Sequence, residues 1–462
     1  MNKGVKTCLW AAWIVLAAVA AYGLGERAVA GKELANYGSY VPWGLWVSTY
    51  IYFIGLSAGA FLLSSMVYVF GVKSLARVGR LALFTAAVTL GMALFSIWMD
   101  LGHMWRAYEV LTRPNFHSMM AWMVWLYTGY FLLILAELWF ELRCDLATRA
   151  AAGGALAPLY RLLSLGWTCP TDAAELQACH QQSLRVLRRL GALGIPLAIA
   201  FHGGVGALFA TLSARPYWHS GLFPILFLTG ALVSGGALLL CLVSLLGAGG
   251  SEREQKELRV FLARLVLVLL VFDVILEWAE VSIPLWYGVG SEVGLWKEIL
   301  FGHYGYVFWV FHLGLGVVVP LALLLKGQAS RFATGLAGLL VATTFLAVRL
   351  NIVIPPQTEP HLRGLAEAYS DARLRFEYVP SLFEWAVVAA VVAAGMAVFW
   401  LGLRLLPLLN GEGPEEDAAQ TVSSEPVAVA ASSESAGDAA EREGSAEPSD
   451  PDAPPAIQAS PA

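Results

Sequence analysis

Charge is scarce in this 462-residue chain: Asp, Glu, Lys and Arg make up 14% of it, against 58% apolar residues. So few polar side chains do not cover the surface of a soluble globule of this length, and the chain requires lipid as part of its solvent. Cysteine is scarce too. Cys8, Cys144, Cys169, Cys179 and Cys241 are scattered, with no CxxC pair and no CxxCH sequence. That pattern indicates neither a disulfide framework nor a chain-encoded iron–sulfur cluster or c-type haem. Cys169, Cys179 and His180 fall short of a four-ligand tetrahedral set and read as ordinary reduced side chains. What is plentiful is aromatic: 17 Trp and 16 Tyr, rings that collect where hydrocarbon meets headgroup. The formal net charge of −5 averages two unlike parts. Residues 411–462 hold twelve acidic residues and one Arg, a balance of −11, which leaves +6 for the rest.

A helix crosses the hydrocarbon core with about 20 apolar residues. Windows of that kind fall near 8–24, 44–70, 81–101, 119–141, 189–211, 221–248, 258–281, 304–326, 331–351 and 380–406. Ten spans place both termini on one side. The first window follows Lys3 and Lys6 and precedes Ala28-Val29-Ala30, so it also has the outline of a signal peptide; Glu26 and Arg27 beside the cleavage-like site, and the length of the apolar run, favour a retained helix. Short-loop Lys and Arg set orientation. Lys73, Arg77 and Arg80, then Arg143, Arg149, Arg161, Arg185, Arg188 and Arg189, then Lys326 and Arg331, share a side with Lys3 and Lys6, which makes that side cytoplasmic. The opposite loops, around 25–43, 102–118, 212–220, 282–303 and 352–379, hold or adjoin seven of the eight histidines, His180 being the exception. Beyond Asn410 the composition is Ala, Ser, Glu, Pro and Asp, with too little apolar surface to offset the entropy of ordering; it reads as a disordered cytoplasmic tail on a 1–410 membrane domain.

Gly55-Leu56-Ser57-Ala58-Gly59-Ala60 recurs approximately as Ala231-Leu232-Val233-Ser234-Gly235-Gly236-Ala237, aligning Ser57 with Ser234 at an offset of 177. The same offset carries Asp100 onto Glu277 and His103 onto Glu280. Four spans separate the start of one copy from the start of the next, so both run the same way. The expected architecture is all-α: two parallel-repeat four-helix bundles, about 44–211 and 221–351, plus two peripheral helices. The alternative is that small residues recur in membrane helices because they allow close packing.

Ionisable groups within membrane spans are costly and mark function by default. Asp100 and His103 are three apart, with Arg106 one turn further and Arg113, His117 and Ser118 leading into the next span. Such a cluster offers a proton acceptor that titrates near neutrality, as quinol oxidation requires; a salt-bridged helix cap is the structural alternative. Asp273, Glu277 and Glu280 stand at i, i+4 and i+7, a carboxylate stripe suited to a proton route or, alternatively, to pairing with Arg349. Glu137 and Glu384 are further intramembrane acids. His202 and His312 sit at similar depth, where a b-type haem would find axial ligands, although packed polar histidines fit the pair equally well.

Val41-Pro42-Trp43-Gly44, Gly55-Leu56-Ser57-Ala58-Gly59, Asp100-Leu101-Gly102-His103 with Arg106, His202-Gly203-Gly204 with Pro216-Tyr217-Trp218-His219, Arg349-Leu350-Asn351, and Tyr378-Val379-Pro380-Ser381-Leu382-Phe383-Glu384-Trp385 follow one another in an order that resembles the NrfD/PsrC (polysulfide reductase membrane subunit) family. The resemblance covers about residues 5–406 and is to its ten-helix branch, most like the DsrP type of dissimilatory sulfur metabolism and next the HybB type of hydrogenases. It implies a multi-pass subunit of the bacterial or archaeal cytoplasmic membrane that binds menaquinone or ubiquinone near the outer face. It implies no haem or iron–sulfur cluster in this protein, a periplasmic ferredoxin-like iron–sulfur partner, further complex subunits, and no nucleic acid. On that footing His103 accepts the quinol proton, Asp100 orients its ring, Arg106 tunes the potential, and Trp43, Ser57, His117 and Ser118 shape the quinone pocket. Competing readings are a secondary transporter, a b-haem quinol oxidoreductase subunit and a structural anchor.

Overall fold

The computed structural model describes residues 3–409, apart from 170–171, 289–290, 361, 363, 369–370 and 372; the acidic tail lies outside the described residues. Among the described residues all regular structure is helical. The long helices are α1 (Lys3–Val29), α2 (Leu45–Tyr68), α3 (Gly79–Asp100), α4 (Met119–Ala151), α5 (Ala173–Ala210), α6 (Phe223–Leu246), α7 (Glu252–Tyr287), α8 (Val307–Lys326), α9 (Arg331–Val353) and α10 (Leu382–Leu405). Among the described residues, nine helices are long and apolar enough to cross a membrane. The tenth, α7, has 36 residues, about 54 Å at 1.5 Å per residue. It misses on composition because Arg259, Arg264, Asp273, Glu277 and Glu280 interrupt it. It nevertheless packs on α6, so the polytopic all-α architecture is present with ten long helices among the described residues.

Helices α2, α3, α4 and α5 form one four-helix group and α6, α7, α8 and α9 a second, while α1 pairs with α10 and α10 leans on α3. Each group closes in the same order: its first helix lies against its second and fourth, and its third against its fourth. The two groups thus share one order of helix adjacency. The groups meet where α2 crosses α6, at the two small-residue stretches themselves. A Cβ on Gly59 would lie 2.0 Å from the Ala231 carbonyl oxygen, and one on Gly235 would lie 2.6 Å from Gly59 Cα, so only glycine lets the backbones approach this far.

Helix ends are settled locally. Ser251 with Glu254 and Ser381 with Glu384 form capping boxes at the starts of α7 and α10, satisfying otherwise orphaned N–H groups. At the arginine-rich end, Arg80 bridges Glu141 and Asp145, each at 2.8 Å, and ties α3 to α4. There α4 and α5, at 33 and 38 residues, overrun their apolar windows and extend as a helical lobe. The loops rich in histidine and tryptophan gather at the other end, called the far end below.

Candidate functional site

The second helix group holds a narrow cavity of about 60 Å³ between α6, α7, α8 and α9. Its walls are Tyr217, Phe223, Phe227, Trp296, Phe308 and Phe345, and its polar groups converge from three helices. The i, i+4, i+7 spacing on α7 turns Glu280, Glu277 and Asp273 to one face, descending from the far end. Each carboxylate meets a different partner: Glu280 accepts from Ser220 Oγ at 2.6 Å, Glu277 Oε2 pairs with His312 Nε2 at 3.0 Å, and Asp273 accepts from Thr229 Oγ1 at 2.7 Å. His312 lies in a π-helical stretch of α8, Val307–Val318, a local widening of a kind that often accompanies functional side chains.

Opposite the stripe, Arg349 on α9 is 1% exposed, with its guanidinium carbon 4.4 Å from the ring centre of Phe227 and 5.1 Å from that of Phe345. Its Nε and Nη2, both amide atoms of Asn351 and Nδ1 of His312 have no hydrogen-bond partner among the described residues. Unsatisfied polar atoms this deeply buried call for a partner of their own. An apolar, aromatic cavity with a few convergent polar groups is the usual form of a small-molecule or proton-handling site.

The far end of the first group is built differently. Asp100, closing α3, pairs with Lys32 at 3.1 Å; Lys32 stands 5.1 Å over the Tyr37 ring. Arg27 donates to the carbonyls of Met99 and Leu101 at 2.8 and 2.7 Å, binding α1 to the end of α3. His103 is exposed just past the helix end, and among the described residues it has no hydrogen bond to Asp100. The Asp100 carboxylate is held by the Lys32 ammonium 3.1 Å away. Arg106 is likewise turned away. It forms two 2.9 Å bonds to Glu109, which hold the Glu109 carboxyl below its ordinary range. His117 is exposed and Ser118 begins α4.

The other expected pocket residues are dispersed. Trp43 is half-buried at the junction of the two groups, against Phe209 and Trp218, its backbone bound by Gln357. Ser57 is fully buried and donates to the Ala86 carbonyl at 2.8 Å. It sits about 18 Å along α2 from the helix start, too deep to share a headgroup-sized pocket with His103. Glu384, expected as an intramembrane acid, accepts from Asn36 N, Ser381 N and the Tyr378 hydroxyl, which makes it a buried cap. Burial and the neighbouring Glu384 push the Tyr378 phenol above its ordinary range.

Polysulphide reductase, NrfD, is the family that matches this protein, over residues 33–361. The chain belongs to the NrfD family. It is 39% identical to a selenate reductase subunit of Mesobacillus selenatarsenatis across 86% of its own length and 92% of that protein. It is 28% identical to the Hdr-like menaquinol oxidoreductase integral membrane subunit of Archaeoglobus fulgidus, across 87% and 94%. With a polysulfide reductase subunit of Wolinella succinogenes it shares 24% identity across 69% and 95%.

The NrfD match runs from the loop before α2 to beyond α9, so it includes Asp100, His103 and the cavity, while Arg27 and Lys32 lie just before it. Of the His202/His312 pair weighed as haem ligands, His312 Nε2 is taken by Glu277. His202 is fully buried with both ring nitrogens unpartnered among the described residues, beside Gly55 of α2. Thr229 and Ser220 were not legible as site residues, since a hydroxyl in a membrane helix or loop carries no pattern until its partner is in place. Arg349 and Asn351 were visible only as a motif; their seat opposite the carboxylates is a tertiary fact.

Proposed function

We propose that this NrfD-family protein is the quinone-binding membrane subunit of a multi-subunit oxidoreductase, exchanging electrons between the membrane quinone pool and an iron–sulfur partner docked at the far end. The observation that carries the reading is the file of Glu280, the Glu277–His312 pair and Asp273 inside an aromatic cavity. Quinol oxidation releases two protons for every two electrons, and buried carboxylates alternating with an imidazole are what relays them. The relatives' names, menaquinol oxidoreductase, polysulfide reductase and selenate reductase, support quinone chemistry coupled to a sulfur or selenium compound. The arginine-rich end faces the cytoplasm of a bacterium or archaeon by the distribution of Lys and Arg, with both termini there and the far end in the periplasm. Lacking a cluster motif of its own, the protein passes electrons to a partner within tunnelling reach.

The headgroup has two candidate seats. The first is the far-end edge of the first group, where His103 accepts the proton and Asp100 with Lys32 and Arg27 supplies a fixed charged rim. The second is the cavity, whose lining includes Arg349 and Asn351 with donor atoms that have no partner among the described residues. Quenching of a fluorescent quinol analogue by the purified protein separates them. His103→Ala is expected to weaken saturable quenching at least about tenfold, 1.4 kcal/mol, with Asn351→Leu unchanged. The reverse pattern assigns the cavity. Wild-type protein without saturable quenching sinks the quinone reading.

A further inference from the structure

At the arginine-rich end, the lobe formed by α4, α5 and their connection gathers three of the cysteines that look scattered in sequence. Cys144 on α4 and Cys179 on α5 are buried with their Sγ atoms 3.5 Å apart. Cys169, in the connection, is half-exposed and close enough to Cys144 for the two thiols to interact. Arg143 completes the cluster. It is 4% exposed, donates through Nη2 to Ser183 Oγ at 2.9 Å, and holds the same nitrogen 3.9 Å from Cys179 Sγ. Trp167 covers its guanidinium at 4.3 Å and Phe140 at 4.9 Å, and its Nε has no partner among the described residues.

These features suit thiol chemistry better than metal binding. The fixed Arg143 guanidinium, 3.9 Å from Cys179 Sγ, repels a dication. Among the described residues no group of three His, Cys, Asp or Glu side chains has metal-holding geometry. The two buried Sγ atoms, 3.5 Å apart on two packed helices, stand about 1.5 Å beyond an S–S bond of about 2 Å. The half-exposed third thiol supplies access that the buried pair lacks.

We propose that Cys144 and Cys179 form a reversible disulfide between α4 and α5, entered through Cys169, with a low-molecular-weight disulfide RSSR as oxidant. The Cys169 thiolate attacks RSSR, forms a mixed disulfide and releases RS⁻. Cys144 then attacks Cys169 Sγ and expels the second RS⁻. Cys179, beside Arg143, attacks Cys144 Sγ and Cys169 leaves as a thiolate that is reprotonated. In sum two protein thiols are oxidised, RSSR is reduced to two RSH, and the protons balance. Each step is an ordinary thiol–disulfide exchange. The bond ties α4 to α5 two turns from Glu137, the buried acid of α4 that faces Gly191 of α5. With this end in the cytoplasm, as proposed above, the thiols are held reduced under ordinary conditions, and the bond reports an oxidising shift.

The test uses the full-length protein in native membranes treated with oxidised glutathione, then denatured, labelled with a maleimide and digested. The expected result is loss of two labelled thiols, recovery with dithiothreitol, and a crosslinked peptide pair containing Cys144 and Cys179. Cys169→Ser slows that loss about tenfold without abolishing it, and Cys241→Ser changes nothing. Because the wild-type crosslink is read directly, poor folding of a Cys144→Ser variant does not blunt the test. Glutathione found only on Cys169, with Cys144 and Cys179 still labelled, overturns the proposal. So does stoichiometric zinc released from the untreated protein.

Discussion

Gly59→Val is expected to stop the two helix groups from closing, with the purified protein unfolding well below wild type or failing to accumulate in the membrane. The reason is which atoms stand in the way. A Cβ at Gly59 meets the Ala231 carbonyl oxygen at 2.0 Å, the Ala231 carbonyl carbon at 2.9 Å and Gly235 Cα at 2.9 Å. All three are backbone, so no rotamer change relieves the clash, and α2 and α6 must separate along their crossing. Overpacking a core costs about 1–3 kcal/mol when side chains yield; here the cost lies at or above the top of that range. Gly235→Ala is expected to behave similarly, since its Cβ would lie 2.6 Å from Gly59 Cα and from Ala60 N. Gly91→Ala and Gly129→Ala, with open space around the new methyl, are expected within about 0.5 kcal/mol of wild type. Thermal unfolding in detergent followed by size-exclusion chromatography reads the whole series. If Gly59→Val melts with wild type, the α2–α6 crossing is wrong as described.

Glu277→Gln is expected to lower quinol-driven turnover of the assembled complex by about 10²–10⁴-fold, the range a positioned acid–base group contributes. The amide keeps the shape of the side chain and a hydrogen bond to His312, whose Nε2 is 3.0 Å from Glu277 Oε2, so the fold is retained and the proton acceptance proposed for this carboxylate is lost. His312→Leu goes further, because it also strands the Glu277 carboxylate beside an apolar wall, and leaving such a group unsatisfied costs about 1–3 kcal/mol. The two headgroup seats divide the kinetics. With quinone at the His103 edge, Glu277→Gln lowers kcat and leaves quinol-analogue affinity unchanged; with quinone in the cavity, both change. Proteoliposomes carrying the complete complex, assayed for electron transfer and for acidification, make the measurement. Wild-type turnover in Glu277→Gln would reduce the stripe to a structural hydrogen-bond file.

What was legible in advance follows the length scale of each cause. Hydrophobic runs are local and additive, so the long helices were readable. Exceptions are the end of α4 at Ala151 and the start of α5 at Ala173, beyond apolar windows that end at 141 and begin at 189, because those turns are polar and arginine-rich and carry no apolar run. The recurrence of Ser57 as Ser234 pointed to two alike helix groups, and its glycines turned out to be where those groups touch. Asp273, Glu277 and Glu280 were readable as a face because 3.6 residues per turn is a property of one helix.

The remainder depended on which helix stands beside which. Lys32, in a loop with no pattern to mark it, captures Asp100 and leaves His103 without the expected carboxylate. Glu384 reads as an intramembrane acid until Ser381 caps the start of α10 and draws it into a capping box. Cys144 and Cys179, 35 positions apart, become neighbours only when α4 and α5 pack. By itself the sequence determined that the protein lives in a membrane, which segments are long and apolar enough to cross it and which helix faces carry charge, because burial in lipid acts on each segment separately. Only the tertiary structure decided which charged, thiol and hydroxyl groups meet, because a side-chain pair is selected by distances between helices that no single helix encodes.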